Sequence, residues 1–95
     1  MRFPHAAALV LVGWYLMMPP LDPANTTHFE SRAPLMRWRP LKTYSSKNDC
    51  EKERDEERAS GGRGLNSPSQ TKRLIAAGLL SVQCVATDDP RLKGE

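Results

Sequence analysis

The chain has 95 residues, enough for one small domain and no more. Leu, Ile, Val and Phe make up about 19% of it, just under the ~20% level below which disordered chains become common. A net charge of +3 sets it apart from the strongly basic chains that coat nucleic acid, and so thin an aliphatic core calls for a covalent staple.

Met1-Arg2 starts the chain with positive charge, and Ala6–Met18 then runs without any charge until Pro19-Pro20. A short basic region before an apolar one is the layout of a secretory signal. Its apolar run is too short, as a helix, to cross a ~30 Å hydrocarbon core. Residues 1–18 are therefore expected to be a signal peptide, or else an uncleaved signal anchor giving membrane contact. No small-x-small site follows Met18, so the best cleavage candidate lies after Gly13.

Residues 19–45 hold five prolines, Pro19, Pro20, Pro23, Pro34 and Pro40. That is too many for a helix or for a central strand. The segment is expected to be extended and partly disordered, with Trp38, Leu41 and Tyr44 capping the apolar face of the helical region downstream. Arg37-Trp38-Arg39 has the ingredients of a stacking and phosphate-binding patch, but one aromatic is too few, so nucleic acid is not the expected partner. Asn25-Thr26-Thr27 matches a glycosylation sequon. His5 and His28 have no second ligand at a metal spacing. Met17, Met18 and Met36 could suit a soft metal, but two of them belong to the apolar run. Neither metal nor cofactor is expected.

Residues 46–86 read as two helices. Ser46 caps the first, which carries Asp49, Glu51, Glu53, Asp55, Glu56 and Glu57 against Lys52, Arg54 and Arg58. Just upstream, residues 32–47 hold five basic residues and no acid. Ser60-Gly61-Gly62-Arg63-Gly64 is expected to end the first helix and serve as a linker. Ser67-Pro68-Ser69-Gln70 opens the second, whose Leu74, Ile75, Gly78, Leu79, Val82 and Val85 recur at helical spacing. Thr87-Asp88-Asp89-Pro90 ends it, leaving 87–95 as a C-terminal tail. The fold class expected is mostly α: an antiparallel helical hairpin stapled by a disulfide between Cys50 and Cys84. A linker of residues 60–67 can span the offset between the two helices.

Trp14-Tyr15-Leu16-Met17-Met18-Pro19-Pro20, Ala33-Pro34-Leu35 with Trp38, Cys50-Glu51, and the closing run Cys84-Val85-Ala86-Thr87-Asp88-Asp89-Pro90-Arg91-Leu92-Lys93 resemble a group of short bacterial exported proteins. The likeness covers about half the chain in scattered blocks. It implies export and the Cys50–Cys84 pairing, and no catalytic residues.

No phosphate-binding glycine loop, no Cys-x-x-Cys and no His–Cys pair at a recognisable spacing is present. The chain is therefore read as non-enzymatic: a periplasmic or secreted interaction or structural protein with a protein partner in the envelope. Two alternatives stand beside it, a membrane-tethered form in the inner membrane and a thiol redox or reactive-cysteine protein.

Overall fold

In the computed structural model, which describes residues 13–94, the uncharged run Trp14–Met18 is strand β1. A small hairpin comes after it, β2 (Leu21–Asp22) and β3 (Asn25–Phe29). Leu35–Arg37 forms a 3-10 turn, and Arg39–Tyr44 is β4. Two helices come next, α1 (Lys47–Gly64) and α2 (Gln70–Leu79). Gln83–Ala86 is β5, and Pro90–Lys93 closes the chain as a second 3-10 turn.

β1 is the middle of an antiparallel sheet ordered β4-β1-β5. Trp14 lies opposite Tyr44 and Ala86, and Leu16 opposite Lys42 and Cys84. Between Leu16 and Met17 the β4 partner jumps from Lys42 to Pro40, so Leu41 is a bulged residue. Proline lacks a donor and is tolerated on an edge strand, where the bulge also discourages pairing with another chain.

Side chains alternate across a strand, and both faces of β1 are covered. Leu16 and Met18 pack with Cys50 and Val82 beneath the helices. Met17 packs on the other face with Trp38 and Val85, joined at the edge by Leu35 and Leu92 from the two 3-10 turns. Trp38 is 6% exposed, and its indole N–H donates to the Ala33 carbonyl at 2.9 Å. The last turn is capped by Asp89, which accepts from the Arg91 backbone N–H at 2.9 Å. Hydrogen bonds from the Arg91 side chain hold the Asp89 carboxyl below its ordinary pKa.

The mostly α expectation is overturned: this is an α+β fold, with the helices a layer on a sheet. Four segments account for the difference. Gln83–Ala86 is a strand, because the helix that carries Leu74 and Ile75 stops at Leu79 and the valines beyond it favour extended backbone. Residues 19–45, expected to be partly disordered, form strands and a turn, with their prolines at links, at the 3-10 turn cap and on the edge strand. Of residues 87–95, expected as a tail, the described part to Gly94 places Leu92 against the core. The export signal expected in residues 1–18 falls partly outside the described residues, and its last five form β1.

Helix boundaries shift for local reasons. Ser46 caps α1, its hydroxyl accepting from the Asp49 N–H at 3.1 Å. Ser69 rather than Ser67 caps α2, accepting from Lys72 N–H at 3.3 Å. The glycine-rich segment taken for a linker is the last turn of α1. A Cβ at Gly61 would stand 2.7 Å from the Ala76 carbonyl oxygen, and one at Gly64 would stand 2.8 Å from the Ala76 Cβ. The missing side chains let α1 and α2 meet backbone to backbone. Arg58 tightens the same junction, donating from Nε and Nη2 to the Val82 carbonyl at 3.2 and 2.7 Å.

Gly62, one position away, would place a Cβ in open space. Gly61→Ala is therefore expected to lose about 1–3 kcal/mol to overpacking despite its better helix propensity. Gly62→Ala should gain up to about 1 kcal/mol. Chemical denaturation of the two variants checks the pair; equal effects would refute the close crossing.

Candidate functional site

Cys50 and Cys84 are bonded, with Cα atoms 6.1 Å apart. The bridge ties the first turn of α1 to β5, so it staples helix to sheet rather than helix to helix. Cys50 is 0% exposed and belongs to the cluster of Leu16, Met18 and Val82. Closing a loop of ~35 residues restricts the unfolded chain by about 3.8 kcal/mol in the entropic account. Helix α1 buries only Cys50 and Gly61, so the bridge is the main attachment of its N-terminal half.

Tyr44 at the end of β4 packs against the helix-side cluster, and its hydroxyl is buried without a hydrogen-bond partner among the described residues. Burial first, and then the nearby carboxylates Glu53, Glu57 and Glu56, push its pKa above 10.0. Lys42 lies over the Tyr44 ring at 5.3 Å and Lys47 over the Trp14 ring at 5.5 Å. These are favourable surface contacts of modest size.

A groove of about 540 Å³ lies where the Pro19-Pro20 link, β4 and α2 converge. Phe29 forms part of its wall and is seated against α2 at Gly78, where a Cβ would stand 2.7 Å from the ring. Leu21, Leu41 and Ile75 stand at its lips, 41%, 41% and 54% exposed. Arg37 and Arg39 are its charged lining residues. Arg37 is paired with Glu30 at 3.2 Å, whereas Arg39 makes no ion pair among the described residues.

Other residues singled out in the sequence are dispersed. Trp38 is buried away from the groove's lining, so Arg37-Trp38-Arg39 presents no stacking surface. Trp38, Leu41 and Tyr44 do not share one apolar face: Trp38 and Tyr44 lie in different clusters and Leu41 is exposed. Met17 and Met18 are buried on opposite faces of β1, and Met36 is 59% exposed. His28 is exposed and accompanied by Thr27 Oγ1 at 3.2 Å. Asn25 Oδ1 accepts from the Thr27 hydroxyl at 2.6 Å on the exposed hairpin. His5 lies outside the described residues. Among the described residues no group of three His, Cys, Asp or Glu side chains is placed to hold a metal.

Leu21, Leu41 and Ile75 were not distinguished as a site by sequence reasoning. A signal was present in α2, where the run Leu74-Ile75-Ala76-Ala77-Gly78-Leu79 is apolar on more than one face, leaving one face unpartnered once the core is filled. The chain matches no protein-family model, no curated protein and no solved structure.

Two outcomes test these sites. Replacing Tyr44 by Phe removes an unpaired buried hydroxyl, so stability should rise by about 1 kcal/mol. The raised phenol pKa means that the tyrosine's neutral form is favoured in the fold, so wild-type stability should decline above pH 10 while the Phe variant's declines less. A lower melting temperature for the variant would show that the hydroxyl has a partner. Replacing both cysteines by serine should cost about 3–4 kcal/mol. Hydrogen exchange should rise first in residues 47–57, since Arg58, Gly61 and Gly64 anchor the rest of α1.

Proposed function

We propose that this chain is a small exported, disulfide-held binding module that acts outside the cytoplasm and without catalysis. The observation that carries the reading is the Cys50–Cys84 bridge, one half of it wholly buried, in a protein with little other attachment for the N-terminal half of α1. Such bridges persist in oxidising compartments and are rare where glutathione and thioredoxin keep thiols reduced. The likeness of the closing segment to short exported proteins supports the same compartment. Burial of Cys50 also favours a structural bridge over a redox couple, which needs an accessible sulfur.

The sheet constrains any processing. Gly13 donates its N–H to Thr87 Oγ1 at 3.0 Å, and its carbonyl accepts from the Thr87 N–H at 2.9 Å. A cut after Met18 would remove the central strand, and one after Gly13 would lose both of these bonds. On the present reading any cleaved leader would end before Gly13, which keeps both bonds and the whole of β1. A tethered form held by residues 1–18 would have to give up β1, whose Trp14–Met18 lies in that segment. Among the described residues no helix is long and apolar enough to cross a membrane.

Fractionation of the native host with thiol labelling tests the proposal. The protein should be found in the envelope or medium, with no alkylatable cysteine, and with an N-terminus at or before Gly13 by mass spectrometry. Intact chain in the cytoplasm with both thiols free would overturn it.

A further inference from the structure

From the groove beside Pro19-Pro20 we infer a binding site for a fatty carboxylate, a single apolar chain ending in one anionic head. The inference deepens the binding-module reading and rests on it. Leu21, Leu41 and Ile75 are half of the large apolar side chains exposed among the described residues, and all three stand at this one groove. Scattered surface leucines need no explanation, but apolar side chains gathered round a concavity mark a site that something covers.

Size selects a small molecule over a protein. A volume of about 540 Å³ lies within the ~300–1,000 Å³ range of small-molecule sites. A stable protein partner would need about 800 Å² of surface from this chain, far more than three side chains around one groove present.

Charge selects the head group. Among the described residues no acidic side chain lines the groove, and two arginines do. Glu30 pairs with Arg37 at 3.2 Å, which leaves Arg39 as the one groove-lining guanidinium without an ion pair among the described residues. A carboxylate matches that planar donor fork, and one unpaired positive charge suits one negative charge. The apolar chain would lie between Leu41 and Ile75, with its head at Arg39. No covalent step is implied: the site would hold or carry the acid.

Titration of the purified, oxidised protein with dodecanoate below its micelle-forming concentration tests this, read by the methyl signals of Met18, Leu21, Leu41, Leu74 and Ile75. Saturable shifts confined to these methyls are expected. Arg39→Gln should weaken dodecanoate about two- to fivefold, the range of one exposed ion pair, and leave methyl dodecanoate unchanged. Ile75→Asp, at a half-exposed position, should abolish both while circular dichroism stays that of the parent. The inference fails if the groove methyls do not shift, if the neutral ester binds as tightly as the acid, or if Arg39→Gln has no effect. It also fails if binding is seen only to phosphatidylglycerol vesicles, which would make the face a membrane contact. Reduced protein in the cytoplasm would remove the export reading and leave this titration standing. Failure of the titration in an exported, oxidised protein would remove only the ligand.

Discussion

Burial of β1 on both faces is the constraint that dictates the arrangement of the remaining elements. A three-stranded sheet with one covered face would expose half of Trp14–Met18 to water, and this chain has few other aliphatic residues with which to build a core. Leu16 and Met18 need the helical layer, and Met17 needs a second cover. Among the described residues no α-helix or further sheet supplies that cover. Two 3-10 turns and Trp38 do so instead, with the indole N–H satisfied locally by Ala33.

The helical layer is held to that strand by means other than an apolar face. Along α1 the buried positions are a cysteine and a glycine. One end is fixed covalently to β5, and the other is fixed by the Gly61–Gly64 crossing and by Arg58 on the Val82 carbonyl. The acidic residues between these anchors are free to face solvent, where their ion pairs with Arg54 contribute little. A helix can therefore be strongly charged and still belong to the fold.

These same features explain what the sequence disclosed and what it hid. Ser46 as a cap, a helix around Glu51–Arg58 and the Cys50–Cys84 pair were legible because capping and cysteine pairing are local or pairwise signals. The central strand was not. A strand covered on both faces loses its period-two alternation and becomes an uncharged run, and Trp14–Met18 comes directly after Ala6–Gly13 and merges with it into the pattern of a leader. β5 was hidden by coincidence: Val82 and Val85 continue the helical spacing of Leu74–Leu79, yet the helix ends at Leu79 and Gln83–Ala86 pairs with β1 as the third strand. Gly61 and Gly64 suggest a break when read as residue types, yet serve a helix crossing.

The groove raises an energetic question that the bridge helps to answer. Full burial of a Leu or Ile contributes about 1.5–3 kcal/mol, and Leu21, Leu41 and Ile75 are each about half exposed. Leaving all three uncovered forgoes roughly 2–4 kcal/mol. In a domain this small that is a large fraction of total stability. It is also close to the ~3.8 kcal/mol by which the disulfide restricts the unfolded chain. The bridge lies on the helix-side core and not in the groove lining, so it can offset the exposure without closing the site. A chain of this size can thus keep an open apolar groove only because stability comes from elsewhere. On that account the staple and the groove belong to one design: weakening the first should make occupation of the second matter more to whether the protein stays folded.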